Sequence, residues 1–76
     1  GSLQPRAALR DVGRVLQMPY PQVDRICKLV PNNPAAPVTL QEAIDGEPAL
    51  QEEIAAEERV ATLVDIANPC RWRGHR

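Results

Sequence analysis

Phenylalanine is absent from this chain of 76 residues, and one Trp and one Tyr supply all of its aromatic content. Aromatic rings fill a small core with few residues. Without them the core must be assembled from Leu, Ile, Val and Ala, and stability should be slender enough for a partner or a surrounding protein to help. One histidine, His75, and two cysteines, Cys27 and Cys70, are too few and too widely spaced for a zinc site. Neither a nucleophile–base arrangement nor a glycine-rich phosphate loop occurs. The chain by itself is therefore expected to have no catalytic residues, no metal ligands and no cofactor. No apolar run of about 18 residues exists, which argues against a membrane-spanning helix. The N-terminus lacks the basic-then-apolar pattern of a secretory signal. Cys27 falls on an apolar helical face as a small buried thiol, which fits a reducing, cytoplasmic setting.

What the chain does have is an uneven distribution of charge beneath a net charge of −1. Residues 1–30 carry Arg6, Arg10, Arg14, Arg25 and Lys28 against Asp11 and Asp24, a net +3. Residues 31–67 carry Arg59 against eight carboxylates, a net −7, and residues 68–76 add Arg71, Arg73 and Arg76. This asymmetry suggests that the basic block faces a polyanion while the acidic block faces water.

The apolar spacing is helical almost throughout and no strand pattern appears. The fold class is all-α, a small bundle of four or five short helices with a Pro-rich loop. A first helix is expected from Leu3 or Gln4 to Gln17, capped by Ser2, with Pro5 tolerated in its first turn. Its apolar stripe is Ala8, Val12, Val15 and Leu16, with Leu9 at the edge. Pro19 and Pro21 turn the chain, and a second helix buries Val23, Ile26, Cys27 and Val30 before Pro31. The stretch "PNNPAAPV" is a stiff loop. In "TLQE" the Thr39 hydroxyl and the Glu42 carboxylate can each accept from the other's backbone amide, a capping box that starts a third helix. That helix ends early, near Gly46. Pro48 opens the next, with Leu50 and Ile54 inward. At "AAEE" the helix either continues or breaks, and a further stripe of Val60, Leu63, Val64 and Ala67 follows. The helical domain spans residues 1–67, and residues 68–76 form a basic tail in which Trp72 lies between two arginines. Gly1-Ser2 is either native or a cloning remnant.

Arg6, Arg10 and Arg14 recur every four residues, so they line one helix face with a drift of about 40° per step. Arg25 and Lys28 sit away from the apolar face of the second helix. Such a row either neutralises nucleic-acid phosphates or is a solvated face paired locally with Asp11 and Asp24. The absence of an aromatic pair, and of Asn or Gln on the arginine face, points to backbone recognition rather than base reading. Gly13 beside the row costs roughly 0.5–1 kcal/mol relative to Ala, which close approach of another backbone, from a packed helix or a phosphodiester strand, would offset. The carboxylate pairs Glu52-Glu53 and Glu57-Glu58 point about 100° apart on a helix and form a solvated face.

Several of these stretches also resemble a known family. Arg10-Asp11-Val12-Gly13-Arg14-Val15-Leu16, then Pro19-Tyr20, then Val23-Asp24-Arg25-Ile26 and Lys28-Leu29-Val30-Pro31 follow in order. Thr39-Leu40, Ala43, Glu47-Pro48 and Leu50 come next. This series is similar to the alpha subunits of bacterial DNA polymerase III, the C-family replicative polymerases, over about residues 3–67. The resemblance implies a thumb, a small helical insertion in the palm that grips the primer–template duplex across its sugar–phosphate backbone. Contact would fall to Arg10 and Arg14 first, then to Arg6, Arg25 and Lys28. The implied partners are primer–template DNA and the palm of the same polymerase. The implied parent reaction is nucleotidyl transfer with magnesium ions held elsewhere, because the family's P-D-x-D-x-D-F motif is absent here. Asp11, Asp24 and Asp65 do not replace it. The tail "NPCRWRGHR" does not follow the family pattern. The competing expectation is a helical protein-interaction or self-associating module that makes no DNA contact. A sequence-specific helix-turn-helix regulator is weaker still, because the second helix offers few base-reading side chains.

Overall fold

The computed structural model describes residues 4–31 and 35–68. These form five helices: α1 (Pro5–Val15), α2 (Tyr20–Lys28), α3 (Leu40–Gly46), α4 (Pro48–Ala56) and α5 (Glu58–Ala67). Among the described residues there is no strand. In the packing, α1 lies against both α2 and α5, α5 lies against α4, and α4 lies against α3. One core runs through the set, with Leu9, Ile26, Val30, Leu50, Val60 and Leu63 fully buried. The expected inward positions of α2, α4 and α5 all face it, Ile54 from its margin.

Each boundary has a local cause. Proline occupies the first turn of α1, α2 and α4, where its missing N–H is not needed. Helix α3 starts on the full capping box: the Glu42 N–H donates to Thr39 Oγ1 at 3.1 Å, and the Thr39 N–H donates to Glu42 Oε1 at 2.8 Å. Glu47 ends α3 and starts α4 in extended conformation (φ −125°, ψ 99°), as the residue before Pro48 should. The Gln51 side-chain amide reaches back and donates to the Ile44 carbonyl at 2.8 Å, covering a carbonyl that α3 leaves open at its end. The alternative left open at "AAEE" resolves as a break. Glu57 is extended (φ −132°, ψ 119°) and lets α5 fold back onto α4, which one continuous helix could not do. Asn68, buried at the end of α5, donates through Nδ2 to Gln41 Oε1 at 2.9 Å and ties α5 to α3.

Helix α1 departs from expectation in three ways. It begins at Pro5 with Gln4 as its N-cap, so the cap is not Ser2, which lies outside the described residues. It ends at Val15 rather than Gln17. Gln17 takes φ 59°, its N–H donates to the Arg14 carbonyl, and the Met18 N–H donates to the Gly13 carbonyl, each at 3.0 Å. Those two bonds are the Schellman pattern, which closes a helix with one left-handed residue. The buried stripe is also rotated. Leu9 is wholly buried while Val15 is 76% exposed. The reason is that α1 must serve two neighbours at once. Contact with α2 and α5 centres the inward face on Ala8, Leu9 and Gly13, and Val15 lies about 120° from Leu9 on a regular helix. Within the loop after Pro31, residues 35–38 show no regular structure, and residues 32–34 lie outside the described set, as does the tail from residue 69.

Candidate functional site

The basic face is built on α1 and α2, and the drift of the arginine row decides what each member does. Measured from Leu9 on a regular helix, Arg6, Arg10 and Arg14 point about 60°, 100° and 140° away. The row therefore starts beside the core and ends in solvent.

Arg6 is half-buried, and its Nε–H donates to the Val30 carbonyl at 3.0 Å. It serves the carboxyl end of α2, where carbonyls lack helical partners and a cation is favoured. The Cys27 thiol completes this tie by donating to the Arg6 carbonyl at 3.7 Å. Burial pushes the Cys27 thiol above its ordinary value, with the charges of Arg10 and Arg6 pulling it back to a lesser degree. The expected buried thiol is thus present and faces the first turn of α1.

Arg10 is more open. One of its terminal nitrogens stands 3.7 Å from Asp24 Oδ1, while Lys28 Nζ stands 3.6 Å from Asp24 Oδ2. One carboxylate thus answers two cations at long, partly exposed distances. Pairs of this sort contribute about 0–1 kcal/mol. Arg25 reaches across to α4 and meets Glu53 Oε1 at 3.1 Å. Arg14 is exposed, and no carboxylate among the described residues lies within ion-pair distance of it. Local pairing therefore runs through Asp24 and Glu53, while Asp11 makes no ion pair among the described residues. Of the acidic pairs, Glu52, Glu57 and Glu58 are exposed, and Glu53 alone is drawn into a cross-helix bond.

Of the two approaches that would explain Gly13, the packed helix is the one present, and it comes through a side chain. An added Cβ there would lie 2.7 Å from Val23 Cγ2 and 3.2 Å from Cγ1. What approaches closely is the side chain of a packed helix, not a second backbone. The same crossing leaves a cleft of about 180 Å³ lined by Arg10, Gly13, Arg14, Met18, Tyr20 and Val23. Met18 and Tyr20 were legible in the sequence only as parts of a turn. The Schellman closure brings Met18 into the core, and Tyr20, 70% exposed, stands at the cleft. The signal that would have found them is the unexplained helical glycine, which implied a tight crossing nearby.

Among the described residues no group of three or more His, Cys, Asp or Glu side chains stands close enough to hold a metal ion. No helix among the described residues is long and apolar enough to cross a membrane.

The comparisons with known proteins agree with one another. The family model described as the bacterial DNA polymerase III alpha NTPase domain matches residues 1–73. The DNA polymerase III subunit alpha of Caulobacter vibrioides is 60% identical over 67 residues, covering 88% of this chain and 6% of that protein. Its counterpart from Escherichia coli K12 is 48% identical over 67 residues with the same coverage. That of Vibrio cholerae is 51% identical over 65 residues, 86% of this chain and 5% of that protein. The chain spans about 6% of the length of the curated relatives it matches. With the match running over nearly the whole sequence, and with relatives up to 60% identical over most of it, this chain belongs to the bacterial DNA polymerase III alpha family.

Proposed function

We propose that this segment is the thumb of a replicative DNA polymerase, gripping the primer–template duplex through its sugar–phosphate backbone without catalysing anything itself. The observation that carries this is the division of labour along α1 and α2. Arg6 is spent on holding the helices together, whereas Arg14 is open and Arg10 and Lys28 are held only by a loose, shared carboxylate. Cations in that condition can exchange a weak internal partner for phosphate with little loss. Contact then falls to Arg14 and Arg10 first, to Lys28 next, and to Arg25 last because it must leave Glu53. Arg6 acts from behind, by fixing α1 against α2.

Templated nucleotidyl transfer, with magnesium bound outside this segment, is the parent activity in this reading, in the cytoplasm and with the palm as the neighbouring partner. The segment's contribution is electrostatic and geometric, keeping the primer end in register across successive additions. The exposed Val15 and Tyr20 favour a second reading, in which the segment is a helical module that another chain or a second copy covers.

The test is the salt dependence of primer–template binding by an alpha subunit carrying this segment. Replacing Arg10 and Arg14 by Ala should lower affinity and flatten the slope of log K against log salt by about 1.8, roughly 0.9 for each phosphate contact. An unaltered slope would remove both residues from the interface. Association that deepens with concentration and ignores DNA would favour the second reading.

A further inference from the structure

We propose that the cleft between α1 and α2 seats one sugar–phosphate unit of the DNA strand, an inference that rests on the duplex-gripping reading and goes on to say where and how the strand lies. Arg10 and Arg14 both line the cleft, one turn apart and about 6 Å along the helix axis. Between them the floor is made by Gly13, Met18 and Val23, and Tyr20 stands at the side. Among the described residues no carboxylate contributes to the lining. The carboxylate paired with Arg10 is Asp24, at 3.7 Å and shared with Lys28.

This combination selects its occupant. An anion alone would satisfy the two guanidinium groups but has no use for an apolar floor. An aliphatic side chain would fill the floor but would desolvate two cations without compensating them. A backbone sugar answers both demands, since its ring carries apolar C–H faces and a phosphate leaves it on either side. The size agrees as well. At about 180 Å³ the cleft is smaller than the roughly 300–1,000 Å³ that holds a drug-sized ligand, which limits it to one ring-sized group. The shape depends on Gly13, because a side chain there would already collide with Val23. Tyr20, largely exposed and lining the cleft, is placed to cover the sugar once the strand arrives.

The ionic and apolar halves of this seat separate experimentally. A short primer–template duplex is titrated into the 76-residue chain while methyl shifts of Val23 and Met18 are followed by NMR and affinity is measured across a salt series. The duplex should shift both methyl sets, whereas inorganic phosphate at the same ionic strength should not. Tyr20→Ala should weaken duplex binding about fivefold, the factor that about 40 Å² of buried apolar surface supplies, and leave the salt slope intact. Tyr20→Phe should bind as the wild type does. Because the Tyr20 side chain is mostly outside the core, a helical circular-dichroism signal equal to wild type is expected for both variants.

Duplex binding that falls with Arg10→Ala and Arg14→Ala but is untouched by Tyr20→Ala, with silent methyls, would overturn the seat and leave the grip standing. No duplex binding by the chain, together with no effect of the arginine changes in the full alpha subunit, would remove the grip and the seat with it. Tighter binding of a peptide of alternating Glu and Leu than of the duplex, with the same methyl shifts, would reassign the cleft to an acidic protein partner.

Discussion

Replacing Gly13 by Ala sets two calculable effects against each other. Alanine in the middle of a helix is favoured over glycine by about 1 kcal/mol. Against this, the new Cβ would sit 2.7 Å from Val23 Cγ2 and 3.2 Å from Cγ1, where carbon atoms prefer about 3.5–4.0 Å. Val23 cannot swing aside, because a β-branched residue in a helix is held to one χ1 rotamer. Its helix must move instead. Overpacking of this kind costs about 1–3 kcal/mol, so Gly13→Ala should destabilise the fold by about 1 kcal/mol net.

The decisive comparison is the same change made in a Val23→Ala background. Both Cγ atoms are then gone, and the remaining contact, Val23 Cβ at 3.5 Å, is ordinary. Gly13→Ala should now stabilise by about 1 kcal/mol, which reverses its sign and gives a coupling energy of about 2 kcal/mol. Gly46 is the control: it has nothing within 4 Å of an added Cβ and no positive φ, so Gly46→Ala should stabilise by about 0.5–1 kcal/mol in either background. Urea unfolding of the four Gly13/Val23 combinations measures the cycle, with sucrose added to keep the weakest variant folded. An equal effect of Gly13→Ala in both backgrounds would refute the claim that the crossing of α1 and α2 is why glycine stands there.

Two other outcomes follow from the same packing. Gln17 holds a left-handed conformation at φ 59°, which costs a residue with a Cβ about 1–2 kcal/mol, partly offset by the greater unfolded freedom of glycine. Gln17→Gly should therefore raise stability by about 0.5–1 kcal/mol and the melting temperature by roughly 4 °C, and an unchanged melting temperature would rule out strain at that residue. Burial raises the Cys27 thiol from its ordinary value of 9.0, so the folded state keeps that proton longer than the unfolded state does. The thiol's contribution is then fully present below about pH 9 and is lost as pH rises through the folded value. In paired urea titrations of wild type and Cys27→Ala, the stability gap should shrink above pH 9, and a pH-independent gap would refute the assignment.

Much of this fold is legible where one residue's chemistry admits few alternatives. Thr39 and Glu42 announce a helix start because each side chain can satisfy the other's backbone donor, and Pro48 forces an extended residue before it. The stripes of α2 and α5 are legible because each is a run of strongly apolar side chains at one phase. Helix α1 is harder. Val12, Val15 and Leu16 are as apolar as Leu9, and only contact with α2 and α5 decides which phase turns inward. The closure at Gln17 is hidden for a related reason. Glycine normally advertises a left-handed residue, and here glutamine takes that conformation because the turn to Pro19 and the burial of Met18 require it.

The basic row shows the limit in its most useful form. Periodicity gave the phase of Arg6, Arg10 and Arg14, including the 40° drift, but a phase is not a partner. Once Leu9 is known to mark the core, the same drift orders the three arginines from structural to free, and the bond from Arg6 to the Val30 carbonyl follows as the inner end of that series. The outer end has a consequence for the proposed grip. Asp24 holds Arg10 and Lys28 at 3.7 Å and 3.6 Å, both partly exposed, so removing either cation from it costs about 0–1 kcal/mol. A phosphate arriving at this face would replace a weak internal partner rather than fill an unmet need, and on leaving it would return the cation to Asp24. On the proposed duplex-gripping reading, such an exchange would keep each contact shallow, and a strand held by several shallow contacts would advance one nucleotide at a time without a deep well at any register.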